Sequence, residues 1–218
     1  MSETSPILSP PKTQAAADGV IQSRRMSFET YLDWQPEGGL TEWVAGEGVQ
    51  YMPASNAHQR IVNLFIALLS FFVDAKQLGK VFSGPFTMRV SAEGNGREPD
   101  VFVVLNDNTG EETEKAFIGA ADIVIEVVST DSVQRDRLEK FDEYEAAGVK
   151  EYWVIDPRPN RNRADFYQRD TSGRFYSIPL TDGHIFRSNA LSGFWINTDW
   201  LWDAKPNVVE IYRQITNP

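Results

Sequence analysis

The sequence predicts a mixed α/β (α+β) domain whose core runs helix, three strands, helix, strand. Three observations carry that expectation. Ile61, Leu64, Phe65, Leu68, Leu69 and Phe72 recur at three- and four-residue spacing, the period of a helix buried along one face. Residues 81–90, 99–105 and 122–128 form three strand-like runs, and the last two are apolar on both faces, as strands covered on both sides are. A second helical segment, 131–147, is stopped by Gly148 and followed by the strand-like run 151–155.

Taken in order, residues 1–25 are rich in Ser, Pro, Ala and Thr and bury too little apolar surface to offset their ordering entropy, so they read as a flexible tail. The domain itself is expected over 26–202, with a C-terminal extension over 203–218. Residues 26–33 read as a short helix and Pro36-Glu37-Gly38-Gly39 as a turn. Residues 40–52 suit one or two strands around Gly46 and Gly48. Asn56 with Gln59 forms a capping-box-like start to the long helix, and Gly79 ends it. Asp156-Pro157 closes the strand at 151–155. Beyond Arg163, short strands at 164–168, 174–178, 184–186 and 193–196 are expected to extend the same sheet. Val208, Val209, Ile211, Tyr212 and Ile215 suit an amphipathic helix that docks on the domain or on a partner.

Composition narrows the function classes. A chain of 218 residues has room for one ordinary core. Lys and Arg number 21 against 31 Asp and Glu, a net charge of −10, which argues against nonspecific coating of nucleic acid or anionic membrane but leaves room for a local basic patch. The absence of Cys excludes disulfides, Cys-ligated zinc, iron–sulfur clusters and thiol nucleophiles. The apolar stretch 61–73, broken by Asn63 and Ser70, is shorter than the roughly 20 residues a membrane span needs. With no secretory layout at the start, a cytoplasmic protein without a membrane partner is expected.

The informative residues are charges in apolar frames. Asp100 opens Val101-Phe102-Val103-Val104-Leu105, and Glu126 lies inside Ile123-Val124-Ile125-Glu126-Val127-Val128. A carboxylate buried in a two-faced strand needs a cation, a hydrogen-bond set or a raised pKa. Lys140 falls on the inward stripe of the second helix, between Val133, Tyr144 and Ala147. Each has a bland alternative: a turn-side Asp, a structural salt bridge, or a snorkelling Lys paired one turn away with Asp136. Together they make a site more probable than any one does. Two carboxylates on adjacent strands offer hard oxygens suited to Mg²⁺ or Mn²⁺, and a Lys beside them could orient or help deprotonate water and stabilise a phosphoryl transition state. The reaction class expected is metal-assisted phosphodiester hydrolysis. His58, just before the apolar face of the first helix, reads first as a cap or core-edge residue and second as a site residue. Arg158, Arg161 and Arg163 form a candidate phosphate-contacting loop, although a solvated loop is the simpler reading.

The stretches Glu42-Trp43-Val44-Ala45-Gly46-Glu47, Asn56-Ala57-His58-Gln59, Arg97-Glu98-Pro99-Asp100-Val101, Ile125-Glu126-Val127-Val128-Ser129, Asp136 through Lys140 to Tyr144, and Gly148-Val149-Lys150-Glu151-Tyr152-Trp153-Val154-Ile155-Asp156-Pro157 resemble the Uma family of restriction-endonuclease-like proteins. That family belongs to the PD-(D/E)xK nuclease superfamily. The likeness spans about residues 26–200, and the Gly-Val-x-Glu-Tyr-Trp-x-x-Asp-Pro string is its most specific part. It implies a restriction-endonuclease-like core, a DNA substrate, and Asp100 and Glu126 as ligands of Mg²⁺ or Mn²⁺. Position 128 is Val where the superfamily pattern has Lys, so the resemblance implies that Lys140 supplies that charge from the following helix. Glu42 or Glu47 would match a further acidic position, with Glu47 better suited to an exposed turn. A homodimer would suit an enzyme that cuts two strands. The competing class is a nuclease-fold module that binds a partner without catalysis, favoured by the acidic balance and the missing Lys at 128.

Overall fold

In the computed structural model, which describes residues 19–34 and 36–217, two sheets and a hairpin pack around the helices. The chain begins with β1 (Val20–Arg25) and α1 (Phe28–Leu32), then the hairpin of β2 (Thr41–Val44) and β3 (Glu47–Tyr51). The long helix α2 (Asn56–Ala75) leads into β4 (Gly79–Ser83), β5 (Thr87–Arg89), β6 (Gly96–Arg97) and β7 (Val101–Leu105). After β8 (Glu111–Glu112), β9 (Ala116–Ile118) and β10 (Ile123–Val127), a π-helical turn (Arg135–Glu139) runs into α3 (Lys140–Ala147). The remainder is β11 (Glu151–Asp156), β12 (Arg163–Arg169), β13 (Phe175–Ser177), β14 (Ile185–Arg187), β15 (Trp195–Asn197), α4 (Asp199–Trp202) and α5 (Val208–Thr216).

The central sheet has the order β13-β12-β11-β10-β7-β4. Strands β4, β7 and β10 pair antiparallel, whereas β11 lies parallel to β10 because α3 carries the chain back across the sheet. Preceded by α2, this is the predicted helix, three strands, helix, strand. The second sheet has the order β1-β3-β2-β6-β5-β9-β8.

Both faces of the central sheet are covered, which is why β10 reads as apolar throughout and all five of its residues are buried. One face packs Val101, Val103, Ile123 and Ile125 against α2, α5 and the β14–β15 hairpin. The other packs Phe102, Val124 and Val154 against Tyr144 of α3 and Met88 and Phe117 of the second sheet. On α2, Phe65, Leu68 and Leu69 are fully buried, each worth roughly 1.5–3 kcal/mol relative to exposure. By length and composition α2 would also suffice to cross a membrane, but here nine of its residues are buried in the fold.

Several expectations shift. The helix cap is Ser55, one residue before the predicted Asn56, and its Oγ accepts the His58 N–H at 3.2 Å. Residues 81–90 are two strands in different sheets, parted at Gly84-Pro85, where proline offers no N–H to a ladder. The tail expected over 1–25 ends earlier, since Val20–Arg25 pair with β3. That strand is an edge held by backbone pairing with its side chains mostly exposed, so no apolar pattern announces it. Residues 1–18 lie outside the described residues. β12 and β13 extend the central sheet as predicted, while β14 and β15 form a sheet of their own. The boundary drawn at 203 is not a structural one: Ile211 and Ile215 of α5 share the core with α2, so the amphipathic helix docks on the domain.

Candidate active site

The site forms where the second sheet, the central sheet, α2 and α3 converge on a cleft of about 420 Å³, lined by Asp100, Glu126, His58, Gln59, Asp136 and Lys140 among others. Ile125 of β10 pairs with Val101 of β7, so Glu126 and Asp100 stand one step beyond on the same two strands. Asp100 sits at the end of a short strap, Gly96–Asp100, that crosses between the sheets. Along it Arg97 belongs to β6, the Glu98 carboxylate accepts from Tyr31 Oη and from the Thr41 amide and hydroxyl, and Asp100 enters β7.

Asp100 Oδ2 accepts the Val127 N–H at 2.7 Å and lies 3.1 Å from His58 Nε2. His58 Nδ1 is buried without a hydrogen-bond partner among the described residues. His58 is not the cap, which is Ser55; its ring is buried at the core edge and faces the first site carboxylate.

Glu126 Oε1 accepts from Lys140 Nζ at 2.8 Å and from the Tyr144 hydroxyl at 3.0 Å. Lys140, only 1% exposed, also lies 2.9 Å from Glu42 and 3.5 Å from Asp136. Glu42, on β2 of the second sheet, is in turn held by Arg97 at 2.8 Å, with Arg135 at 3.9 Å. Lys140 therefore pins β2 to β10. Glu47, by contrast, pairs with Arg25 at the far end of the hairpin and takes no part.

The electrostatics follow from burial. Burial pushes the Glu126 carboxyl up to about 8 against the pull of Lys140, with Asp136, Asp100 and Glu42 adding to the rise. Glu42 is pushed up by burial too, but Lys140, Arg97 and Arg135 outweigh it and bring it down to about 2. Burial would lower the Lys140 ammonium, yet Glu126, Glu42 and Asp136 outweigh it and hold the pKa above the ordinary lysine value. These neighbours favour the ammonium form of Lys140. In that form it holds Glu126 and counters negative charge, whereas the expected part in deprotonating water would call on the neutral amine, which the surrounding carboxylates disfavour.

Asp100, Glu126 and Asp136 line the cleft beside Lys140 and Arg135, while Glu42, Arg97 and Glu143 continue the ion-pair network behind it. Hydrogen bonds recorded to Asp100 and Glu126 fall on Oδ2 and Oε1. The donor set fits a hard ion held by one or two carboxylates and water, as Mg²⁺ commonly is. Among the described residues no three His, Asp or Glu side chains converge as a ready ligand set.

Sequence reasoning named Asp136 only as a competitor for Lys140 and gave no role to Arg97, Arg135 or Tyr144. Asp136, Lys140 and Tyr144 are spaced i, i+4, i+8, so the stripe itself was legible, but not the Tyr144 hydroxyl's bond to Glu126. Arg135 could not, because the π-helical turn, closed by the Lys140 N–H on the Arg135 carbonyl, brings neighbours 135 and 136 both inward. Arg135 stacks on the Tyr51 ring at 3.8 Å. The Arg158–Arg163 loop follows the simpler reading: Arg158 forks onto Asp156 at 2.8 and 2.7 Å, and Arg163 bonds Asp165 at 2.9 Å.

A sequence profile of the Uma2 family, described as "Putative restriction endonuclease", matches residues 28–199. A solved structure from Anabaena variabilis ATCC 29413, described as "a putative nuclease belonging to DUF820", superposes with a TM-score of 0.64 over 81% of this chain and 97% of that one. At 16% identity the likeness speaks to the fold, a nuclease-like one. No curated protein matches the chain.

Proposed function

This chain belongs to the Uma2 restriction-endonuclease family, and from that membership together with the cleft we propose that it is a Mg²⁺- or Mn²⁺-dependent endonuclease hydrolysing phosphodiester bonds in DNA. The observation that carries the reading is the pairing of two carboxylates: Asp100 and Glu126 line one cavity from opposed positions on adjacent strands. Asp100 and Glu126 would hold the ion. When bound, such an ion makes a metal-held water a better nucleophile and draws charge from a phosphoryl oxygen. The Val127 N–H and His58 fix the Asp100 carboxylate, while Lys140 and the Tyr144 hydroxyl fix one oxygen of Glu126, leaving the other to a ligand. Lys140 and Arg135 bring positive charge to a cleft that must admit a phosphate.

A second reading, a nuclease-fold module that binds a partner without cutting, is favoured by one observation: no ready three-residue ligand set exists among the described residues. Plasmid nicking with and without Mn²⁺, beside Asp100→Asn, separates the two. Mn²⁺-dependent nicking abolished by Asp100→Asn is expected. Nicking that survives the substitution, or none by the folded wild type, would overturn the catalytic reading.

A further inference from the structure

We propose that the outer edge of the first half of α2 is a track for the sugar–phosphate backbone of a DNA strand leaving the cleft, with Arg60 as its phosphate contact. The proposal rests on the nuclease reading and adds a binding surface to it.

A second cavity, of about 330 Å³, lies beside the cleft and is bounded by Arg60 on α2 and by Pro206 and Val208 at the start of α5. Gln59 and Asn63 line both cavities, so the two form one continuous groove along the helix edge. These two residues are four apart and share a face, about 6 Å apart along the axis. Both are exposed, and both carry amide N–H groups able to donate to phosphate or sugar oxygens.

Arg60 differs from the other arginines around the site. Arg97, Arg135, Arg137, Arg158 and Arg163 all lie on carboxylates. Arg60 is half-buried, and its Nε is buried with no hydrogen-bond partner among the described residues. A half-buried guanidinium with an unmet donor is an incomplete arrangement, which a phosphate oxygen completes once the side chain turns toward the groove. The surroundings suit an anion. In a chain with 31 acidic residues, the whole stretch 48–73 contains no Asp or Glu, so α2 itself brings no carboxylate to this edge of its first half. The positive end of the α2 dipole lies at the same end of the helix. An acidic protein that handles DNA must confine its attraction to a strip of this kind.

The test is steady-state cleavage of a labelled duplex oligonucleotide in Mn²⁺ across a salt series, for wild type, Arg60→Gln, Arg60→Lys and Asp100→Asn, with thermal melts to confirm folding. Arg60→Gln is expected to raise KM about tenfold, the worth of one charge-assisted hydrogen bond, with kcat unchanged. The salt dependence of kcat/KM should flatten by about one unit of log–log slope, and Arg60→Lys should restore part of it. If wild type cuts, Asp100→Asn does not, and Arg60→Gln keeps the wild-type KM and salt slope, the track is wrong while the nuclease reading stands. If folded wild type does not cut, the nuclease reading fails and the track with it. An Arg60-dependent preference for RNA over DNA would overturn the assignment of the partner.

Discussion

Replacing Lys140 by Met keeps most of the buried stem and deletes an ammonium that sits 2.8 Å from Glu126, 2.9 Å from Glu42 and 3.5 Å from Asp136. Removing one partner from a buried ion pair costs about 3–5 kcal/mol, because the other charge is left uncompensated. Two features set where in that range the loss falls. Glu42 keeps Arg97 at 2.8 Å and stays ionised. Glu126 keeps only the Tyr144 hydroxyl, but burial already lifts it to about 8, so it can take up a proton instead of standing charged. Protonation caps the loss near the lower end, about 3 kcal/mol at pH 6, or roughly 6–12 °C in Tm for a domain of this size. The sign of the pH effect follows. A carboxyl whose folded pKa is raised lowers stability as pH climbs from its unfolded value to its folded value, and the substitution raises that folded value further. The gap between mutant and wild type should therefore widen above pH 8. Urea unfolding of both proteins at pH 6 and pH 9 in EDTA measures it. A mutant within about 0.5 kcal/mol of wild type at both pH values would refute the view that Lys140 pins the sheets together, and one that nicks at the wild-type rate would detach it from the proposed chemistry.

Two further predictions concern the buried carboxylates. In metal-free buffer, Glu126 makes wild-type stability fall between about pH 4.5 and about pH 8, by at most about 1.4 kcal/mol per pH unit, and Glu126→Gln should remove that slope in a pH series of urea melts. Glu42, lowered to about 2, acts with the opposite sign: its contribution is present above pH 4.5 and is lost as pH falls toward 2. Glu151 accepts from the Asn189 and Ala190 amides, Ser188 Oγ, Trp153 Nε1 and Gln168 Nε2 at 2.7–3.1 Å. Glu151→Ala should cost roughly 3 kcal/mol or more by stranding these donors, and hydrogen exchange at residues 189 and 190 should quicken before the rest of the core.

Much of this molecule was legible because burial imposes period. α2 and β10 are covered on their predicted faces, so their apolar spacing identified them and made Glu126 conspicuous within its strand. Lys140 was legible for the same reason, as a charge on an apolar stripe. The structures held by backbone geometry left no such trace. β1 is an exposed edge, β6 and β8 are two residues each, and the π-helical turn is defined by one hydrogen bond of unusual span. Arg97 and Glu42 are polar partners brought together from positions 55 residues apart, and no local pattern marks such a pair.

The strap Gly96–Asp100 has a consequence for the order in which the molecule becomes competent. Glu42 is made early, on the second sheet; Asp100 arrives on the connection between sheets; Glu126 comes with the central sheet; Lys140 comes last, on α3. No separable portion of the chain owns the cleft. A nascent or partly unfolded molecule, whichever sheet it retains, holds scattered charges and lacks the place where the proposed ion would sit. On the proposed reading, competence would be a certificate of complete folding, and a half-made copy would be chemically inert.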